Sequence, residues 1–390
     1  MIKKITNLCT GCLACQAICP VQAISQQKDR FGFWVPQIDS EKCIECKKCI
    51  IDCPQNHTLS MNHPVACFAV KAKENTLLSS CSSGGAFGVI AEKAIEESRH
   101  VGGCSGNSLH HYVETLVSTK DDLKKLYGSK YVQSSTDSFI LDLKQLLDGG
   151  EKVTVCGTPC QIAGIRTALG DSEELVLIDF VCHGVSSPVL LSNYIKTYEK
   201  MNDCIINDIE FRNKDITRWG TFCAAIKTNN GTRYVKASSD PYYYCFLNSY
   251  SYADACYDCK YSQQDRVSDI TIGDAWGCKD YCSKEFNSFI NKGVSLVIIN
   301  TEKGKNVWDS IKNRFVFESV NYEIVSKYNR NLVAPSSRPV DAFYDHDIDD
   351  DKYYYNKMVS LIPYKEKLKA LIPIKLIETI KEWRRIINNG

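Results

Sequence analysis

The sequence has almost no net charge and no long apolar run. Its 47 lysines and arginines nearly balance 46 aspartates and glutamates, so the formal net charge is only +1 and no overall field selects nucleic acid as a partner. A run of about 18 apolar residues, which a membrane-spanning helix needs, is missing. The first residues also lack the apolar core of a secretory signal. We therefore expect a cytoplasmic protein.

Two further patterns are missing. No G-x-G-x-x-G motif follows a strand, so the dinucleotide-binding fingerprint is absent and a flavin or nicotinamide needs another binding mode. No repeat with a period of about 20 to 50 residues occurs apart from one doubled cysteine run. The 390 residues are enough for two or three domains.

Cysteine, in contrast, is abundant. Disulfide scaffolds are short secreted domains, whereas about half of the 21 cysteines here stand in regular metal-ligand runs. We therefore expect thiolates on metal in a reducing compartment.

The doubled run is C-x2-C-x2-C-x3-C-P, at residues 9–20 and again at residues 43–54. In this bacterial ferredoxin pattern three cysteines hold one [4Fe-4S] cluster and the fourth reaches across to the other. The alternative, a pair of zinc knuckles, does not explain the crossed proline run. Residues 31–39, between the runs, predict an edge strand. The expected ligand sets are Cys9, Cys12, Cys15 and Cys53 on one cluster, and Cys43, Cys46, Cys49 and Cys19 on the other.

Two strand–turn–helix units deliver two more cysteines. The first, residues 153–169, places Cys160 in the first helical turn after the N-cap Thr158. Free amides at that helix end favour a thiolate. The second unit, residues 174–188, places Cys182 just beyond its strand. Adjacent parallel strands present such ends at one sheet edge, so we expect the two cysteines to meet.

A third cluster site is predicted where these two cysteines meet the C-x2-C pair at residues 256–259, which supplies half of a tetrahedral set. The expected ligands are Cys160, Cys182, Cys256 and Cys259. A rival zinc site would use Cys256, Cys259, Cys278 and Cys282. We rank it second, because the strand and Gly-Asp-Ala-Trp-Gly exit between its halves resemble a ligand-binding loop more than a zinc hairpin.

The stretch SSCSSGGAFGVIAEKAIEE is a Ser/Gly turn followed by a helix that begins near Ala86. Ser82 or Ser83 is expected to cap this helix. Gly84 and Gly85 leave the backbone bare, so a phosphate could approach the positive helix end. The same pattern is typical of a plain turn, and spacing alone favours the turn over a phosphate site.

The ordered set of motifs resembles one family. After the dicluster ferredoxin come CSSGGAFG, GSKYVQS, GTPCQIAGIR, DFVCHGVSSP, FRNK…RWG and CYDCKYS…RVSDITIGDAWG. This order resembles the coenzyme F420 hydrogenase/dehydrogenase beta-subunit family over roughly residues 1–340. Members are iron–sulfur flavoproteins in which FAD lies beside one [4Fe-4S] cluster in an α/β core. The CHGVSSP variant after the central cysteine resembles the bacterial branch, whose members often lack the deazaflavin.

The resemblance implies a set of flavin contacts. A lysine near the flavin would stabilise the anionic reduced ring, and a histidine beside the cluster would shuttle protons. Packing or surface roles for the same side chains remain open. The implied FAD contacts are Ser83, Gly84, Gly85, Lys130, Tyr131 and Asp274, and the candidate catalytic residues are Lys130, His183 and Asp274.

The C-terminal stretch changes composition. Residues 341–355 are acidic and aromatic, and residues 362–389 are basic, with apolar residues at helical spacing and a break at Pro373. We expect a solvated acidic linker and an amphipathic helical tail. The tail would lie on an anionic membrane surface, or pack on a partner or on this protein's own core.

The expected fold class is α+β: a bacterial-type dicluster ferredoxin domain (residues 1–62), an α/β domain binding FAD and [4Fe-4S] (63–340), and the linker and tail (341–390). The leading function is an FAD-dependent iron–sulfur oxidoreductase. It would connect a small organic substrate or reduced coenzyme with an external electron carrier or partner oxidoreductase subunit through three clusters. The alternative is a non-catalytic electron-transfer adaptor. We expect a cytoplasmic protein without nucleic-acid partners, and contact of the tail with the inner face of the membrane is one of the alternatives for that segment.

Overall fold

The structure is a computed structural model that describes residues 4–106, 111–288, 290–340, 343–344, 348, 350–372 and 374. Within these residues the strands form a two-stranded hairpin, a three-stranded sheet and an eight-stranded sheet. Most of the predicted tail, residues 375–390, lies outside the described residues.

The elements are numbered in chain order. The strands are β1 (Ile24–Lys28), β2 (Trp34–Ile38), β3 (Ala66–Ala72), β4 (His100–Gly106), β5 (Tyr112–Val117), β6 (Val153–Gly157), β7 (Leu175–Phe180), β8 (Ile206–Glu210), β9 (Cys223–Thr228), β10 (Gly231–Lys236), β11 (Ile270–Asp274), β12 (Ser295–Ile299) and β13 (Phe315–Ser319). The helices are α1 (Ala14–Ala17), α2 (Lys48–Ile51), α3 (Asn75–Ser80), α4 (Ala86–Glu96), α5 (Lys120–Leu123), α6 (Phe139–Asp148), α7 (Pro159–Leu169), α8 (Pro188–Asn202), α9 (Pro241–Leu247), α10 (Asp254–Tyr257), α11 (Cys278–Tyr281), α12 (Lys284–Asn287), α13 (Glu302–Ile311), α14 (Tyr322–Tyr328), α15 (Asp351–Leu361) and α16 (Tyr364–Ala370).

The large sheet has the order β13-β3-β12-β11-β7-β6-β4-β5. Its centre is parallel, because β4, β6, β7 and β11 all run in one direction. The outer strands pair antiparallel with their neighbours. The prediction that two adjacent parallel strands precede Cys160 and Cys182 is confirmed, since β6 and β7 pair with Gly157 opposite Asp179.

Helices cover both faces of this sheet. In β7, Val176 and Ile178 join the core beneath α4 and α13, whereas Leu175 and Leu177 join the core beneath α6 and α7. Successive side chains of a strand point to opposite faces, so a strand covered on both sides is apolar throughout. This explains why the sequence from Leu175 is an unbroken apolar run.

Local chemistry fixes where the two predicted helices begin. Thr158 accepts a hydrogen bond from the backbone N–H of Gln161, whose side chain accepts one from the Thr158 N–H, and Pro159 follows as the first helical residue. Ser187 caps α8 in the same way. These caps satisfy amides that lack an intrahelical acceptor. The strand–turn–helix prediction is confirmed for both units.

The ferredoxin unit packs closely on the large domain. The edge strand predicted at residues 31–39 is β2, which pairs only with β1 among the described strands. The buried Gln133 side chain accepts a hydrogen bond from the Trp34 N–H at 2.6 Å and donates to the Trp34 carbonyl at 3.1 Å. One amide of the large domain therefore continues the edge of the ferredoxin hairpin.

The predicted acidic linker is corrected by the structure. Phe343, Ile348 and Tyr354 are buried in a tyrosine-rich core formed by α8, α9, α15 and the small sheet β10-β9-β8. Asp350 is exposed and caps α15 by accepting a hydrogen bond from the N–H of Tyr353. Aromatic burial outweighs the local charge of this stretch.

The described part of the tail, α16, packs little. Tyr364, Leu368 and Leu371 are exposed, and none of its residues is buried. Among the described residues, no helix combines the length and the apolar character that a membrane crossing requires.

Replacing Tyr354 with alanine tests whether the C-terminal stretch is part of the core. The side chain is fully buried, so Tyr354→Ala should lower the free energy of unfolding by about 3 kcal/mol. Tyr364, which is 76% exposed, provides the matched control and should cost less than about 0.5 kcal/mol. Anaerobic urea unfolding measures both variants. Equal effects at the two positions would contradict the packing.

Candidate functional site

The carboxyl ends of the four parallel strands carry a row of polar and sulfur-bearing side chains. Cys104 lies near the end of β4, Cys156 near the end of β6, Cys182 two residues beyond β7, and Asp274 at the end of β11. Ligands collect at this edge of an open parallel sheet. The sheet topology therefore brings residues from distant parts of the chain to one place.

The four cysteines predicted for the third cluster meet at this edge. Burial raises the pKa of Cys160, and the thiolates of Cys259 and Cys182 raise it further. Burial also raises the pKa of Cys182, with Cys256 and Cys259 as its nearest charged neighbours. The loop that carries the last two cysteines is held beside the end of β7 by a hydrogen bond from the Ala253 N–H to the Val185 carbonyl. The structure thus places all four sulfur atoms together.

Cys160 lies in the first turn of α7, as predicted, but burial opposes the effect of the helix N-terminus on its pKa. Burial is the largest influence on its pKa and acts against the charged form, and the neighbouring sulfur atoms act in the same direction. The hydrogen bond between Cys160 and the Thr158 hydroxyl offsets only part of this effect. A cation bound among the four side chains would favour their deprotonated forms.

The structure does not bring together the four cysteines of the rival zinc site. Cys278 and Cys282 belong to a separate core with Cys67 and Phe286, and Cys278 is buried there. Throughout the described ranges, no group of three or more histidine, cysteine, aspartate or glutamate side chains is close enough to hold a single metal ion. A four-iron cluster is wider than one zinc ion, so its ligands stand further apart.

The eight ferredoxin cysteines fall into the two crossed sets that the sequence predicts. Burial raises the pKa of Cys9 to about 12, and the thiolates of Cys12 and Cys53 raise it further. Cys15 lies near the same three residues. For Cys49, burial again raises the pKa, and the neighbouring thiolates are those of Cys19, Cys43 and Cys46. The fourth cysteine of each run therefore lies beside the other run's first three.

The Ser/Gly turn is built differently from the prediction. The helix α4 begins near Ala86 as expected, but Gly85 is its N-cap, and neither Ser82 nor Ser83 caps it. Ser82 accepts hydrogen bonds from Ser129, and the Ser83 hydroxyl donates to the Val294 carbonyl. Both hydroxyls therefore bind residues outside the turn, and neither caps α4.

Gly84 is less bare than the sequence suggests. Its N–H donates to the Ser295 hydroxyl at 2.8 Å. A Cβ atom at this position would lie 2.4 Å from the Val70 carbonyl oxygen, so only glycine fits between β3 and β12. The next amides, of Ala86 and Phe87, have no acceptor within the described chain. An anion could therefore approach the start of α4, but not through the amide of Gly84.

Two lysines surround this turn. The ammonium of Lys214 donates to the carbonyls of Leu78 and Ser83 at 2.7 Å and 3.0 Å, and burial lowers its pKa to about 8. Burial raises the pKa of Cys81 to about 11, although the positive charges of Lys214 and Lys130 both lower it. The turn is therefore positively charged near neutral pH.

Lys130 is fixed rather than free. Its ammonium donates to the carbonyls of Leu126 and Tyr127 at 2.9 Å and 2.8 Å. Burial lowers its pKa, and the sulfur of Cys104 and the carboxylate of Glu114 partly restore it. The lysine thus acts on its surroundings through its charge, since its hydrogen-bonding positions are largely occupied.

An arginine that the sequence analysis did not assign organises the other predicted flavin residues. Arg212 forms a buried ion pair with Asp274 at 2.9 Å and donates to the Tyr131 hydroxyl at 3.3 Å. Burial opposes the charged forms, but the pair holds the pKa of Asp274 below and that of Arg212 above its ordinary value. The indole N–H of Trp219 also donates to the Asp274 carboxylate at 3.1 Å.

Aromatic rings enclose this ion pair. The Arg212 guanidinium lies 4.7 Å from the centre of the Phe222 ring and 5.6 Å from that of Trp276. Trp276 stacks on Trp219 at 4.8 Å, and Tyr131 stacks on Phe246 at 4.3 Å. The motif FRNK…RWG contains both Arg212 and Trp219. The motif was therefore visible in the sequence, but neither residue was assigned a function from it.

His183 lies between the cysteine site and the ion pair. The surrounding protein lowers its pKa, with Asp274 acting to raise it and Arg212 to lower it. Its backbone carbonyl accepts a hydrogen bond from Ser336. Because its pKa is lowered, the imidazole is neutral near pH 7. The residue is exposed to solvent.

A buried carboxyl group, missed in the sequence, lies beside the same edge. Glu114 pairs across the sheet with Cys104 and accepts hydrogen bonds from Ser134 and Gln161 at 2.5 Å and 3.0 Å. Burial raises its pKa to about 7. With Cys12 it lines a small cavity between the ferredoxin unit and α7.

The fold and the two ferredoxin cysteine sets define a class: an iron–sulfur protein with an N-terminal dicluster ferredoxin domain and a larger α/β domain. Two family models match separate parts of the chain. Residues 150–324 match the C terminus of the coenzyme F420 hydrogenase/dehydrogenase beta subunit, and residues 8–57 match the 4Fe-4S dicluster domain. The chain is therefore similar to the coenzyme F420 hydrogenase/dehydrogenase beta-subunit family over residues 150–324, and to dicluster ferredoxins over residues 8–57.

Three curated relatives are similar to parts of the chain. A subunit of the F(420)H(2) dehydrogenase of Methanosarcina mazei is 23% identical over 224 residues, which are 53% of this chain and 62% of the relative. An uncharacterized protein of Methanocaldococcus jannaschii is 26% identical over 44% of this chain and 55% of its own length. The chain thus spans little more than half the length of these two relatives. Ferredoxin-3 of Chlorobaculum tepidum is 40% identical over 60 residues, covering 14% of this chain and 89% of the ferredoxin.

A solved structure of the F420-reducing [NiFe] hydrogenase complex from Methanosarcina barkeri also aligns. The alignment covers 76% of this chain and 93% of that chain, with 16% identity and a TM-score of 0.47.

The raised pKa of Glu114 predicts a pH dependence. In the unfolded chain the carboxyl ionises near pH 4.5, but in the folded protein it does so only near pH 7. The group therefore destabilises the fold increasingly as pH rises from 4.5 to 7, and fully above that range. Glu114→Gln keeps the hydrogen-bond acceptor and should be more stable than wild type at pH 8, by about 2 kcal/mol relative to pH 5. Anaerobic unfolding at both pH values measures this, and a pH-independent difference would contradict it.

Proposed function

We propose that the chain is an FAD-dependent iron–sulfur oxidoreductase with three [4Fe-4S] clusters. One observation carries the proposal: four cysteines from three separate segments converge at the carboxyl edge of the sheet, next to the Arg212–Asp274 ion pair. The substrate would be a small organic molecule or reduced coenzyme. An external carrier or a partner oxidoreductase subunit would exchange electrons at the ferredoxin end.

The cysteine residues suit iron. Loss of solvation raises the pKa values of Cys160, Cys182 and Cys256, and a bound cation would favour the deprotonation of such thiols. The proposed ligands of the third cluster are Cys160, Cys182, Cys256 and Cys259. Those of the ferredoxin clusters are Cys9, Cys12, Cys15 and Cys53, and Cys19, Cys43, Cys46 and Cys49.

The turn before α4 suits the phosphates of FAD. The amides of Ala86 and Phe87 lack acceptors in the described part of the chain, and Lys214 and Lys130 add positive charge around the turn. Gly84 and Gly85 bring the backbone close to the sheet, and Ser83 faces the ion pair. Of the predicted contacts, Gly84 contributes packing and no free donor.

The aromatic site suits the ring of the cofactor. When bound, a flavin exchanges electron pairs with a substrate and single electrons with clusters. Asp274 holds the Arg212 guanidinium in place, and the guanidinium orients the Tyr131 hydroxyl. The rings of Trp276 and Phe222 exclude water from this pair. His183, neutral near pH 7, can take up or release a proton at its ring nitrogens.

The adaptor function remains the second candidate, because the M. mazei relative is named as part of a larger dehydrogenase and α16 exposes apolar side chains. In that case the ferredoxin unit and the tail would dock a partner, and the large domain would bind no flavin. Flavin content separates the two candidates. Contact of the basic tail with an anionic membrane surface at the inner face of the cytoplasmic membrane belongs to either candidate.

Iron content tests the third cluster. The anaerobically purified protein should contain about twelve irons per chain, and Cys160→Ser should remove about four while preserving the ferredoxin spectrum. Cys278→Ser is the matched control, since that cysteine is buried away from the site. Eight irons in the wild-type protein, or an unchanged count in Cys160→Ser, would reject this ligand set.

Flavin content tests the FAD site. About one FAD per chain should be recovered after reconstitution, and Lys214→Gln should weaken FAD binding by roughly tenfold, because one positive charge beside the turn is lost. Lys303 also donates to two backbone carbonyls, of Ser172 and Leu175, but away from the turn. Lys303→Gln should therefore bind FAD as the wild type does. Protein that never retains flavin would favour the adaptor.

A further inference from the structure

We infer that Gly164 and Tyr261 form the contact through which the third cluster exchanges electrons with the ferredoxin domain. The inference rests on the proposed function, since it requires a cluster on Cys160 and Cys259. It assigns these two residues a positioning role and identifies which ferredoxin cluster is the nearer one.

Gly164 allows the two domains to approach each other. It lies one helical turn after Cys160 on α7, which packs against α1 of the ferredoxin unit. A Cβ atom at this position would lie 2.9 Å from both the Cβ and the Sγ of Cys12. Glycine inside a helix costs about 1 kcal/mol relative to alanine, so its packing here has to offset that cost. Any larger residue would push the ligand Cys12 away from α7.

Tyr261 lies between the two ligand sets. Its side chain is buried, and its hydroxyl donates to the Pro54 carbonyl at 3.0 Å, directly after the ligand Cys53. Burial raises the pKa of the phenol, followed by the nearby thiolates of Cys12, Cys160, Cys259 and Cys53. One aromatic ring is therefore adjacent to two ligands of each set.

A buried arginine holds this ring in place. Arg266 donates to the Tyr261 carbonyl at 3.0 Å and pairs with Asp179 of β7 at 3.1 Å, and both charged side chains are inaccessible to solvent. The backbone of Arg266 also pairs with Asn62, which follows the ferredoxin unit. The strand that leads to Cys182, the cysteine loop and the ferredoxin unit are thus fixed relative to one another.

The contact selects one ferredoxin cluster. Cys12 and Cys53 belong to the set with Cys9 and Cys15, so this cluster is proximal, and the set with Cys46 is distal. With both clusters bound, one electron would pass between them, so that one cluster would be oxidised by one electron as the other is reduced by one. No proton or atom is transferred. Electron transfer slows steeply as the gap widens, so an inserted methyl group or a removed ring should slow it.

The experiment uses the intact protein with all of its iron. Gly164→Ala and Tyr261→Leu should each keep about twelve irons but slow electron transfer between the third and proximal clusters by roughly tenfold. Both should also weaken the magnetic coupling between these clusters in the electron paramagnetic resonance spectrum of the reduced protein. Tyr261→Phe retains the ring and should stay close to wild type in both measurements.

Thr167→Ala is the matched control on the same helix, because it removes a hydroxyl without adding an atom between the sites. It should leave the rate and the coupling unchanged. Twelve irons with wild-type rate and coupling in both Gly164→Ala and Tyr261→Leu would overturn the inference alone. Eight irons in the wild-type protein would overturn the proposed third cluster, and the inference with it.

Discussion

Four sulfur atoms gathered at one edge of the sheet are the constraint on which the large domain depends. Burial raises the pKa of Cys160, and the helix start at this residue does not compensate for the lost solvation. The fold therefore has to hold three segments in register until a cation binds. It does so with a parallel sheet centre, a capped helix and a cysteine loop bonded to Val185, so the binding site is assembled by secondary structure rather than by sequence proximity.

The ion pair of Arg212 and Asp274 is the second constraint, and it acts between elements that the cysteines do not connect. Burying two charges is costly, and their attraction offsets the cost only with good geometry and further hydrogen bonds. Here two guanidinium nitrogens reach the two carboxylate oxygens, and Trp219 donates to one of them. The pair fixes the end of β11 against the segment after β8, and Tyr131 is positioned in consequence.

Local sequence patterns were sufficient to predict much of the fold. They failed where a residue's role depends on partners that are distant in the sequence. The crossed ferredoxin sets and the caps of α7 and α8 follow from spacing and turn chemistry within a few residues. Arg212 was missed because its partners lie 81 and 62 residues away. The cap at Ser82 was wrong because Ser129 binds that hydroxyl. The acidic stretch was misjudged because its aromatic side chains, such as Phe343, outweigh its charges once a core is available.

The two ferredoxin sets differ in how well the protein shields them. Cys15 and Cys53 of the proximal set are buried, whereas Cys46 of the distal set is exposed and flanked by Ile44 and Ile51, which are 61% and 66% exposed. Dissolved oxygen therefore meets the distal ligands first, and damage by air advances from the surface inward. A preparation handled briefly in air would lose its outermost inorganic sulfide before the interior of the chain is touched.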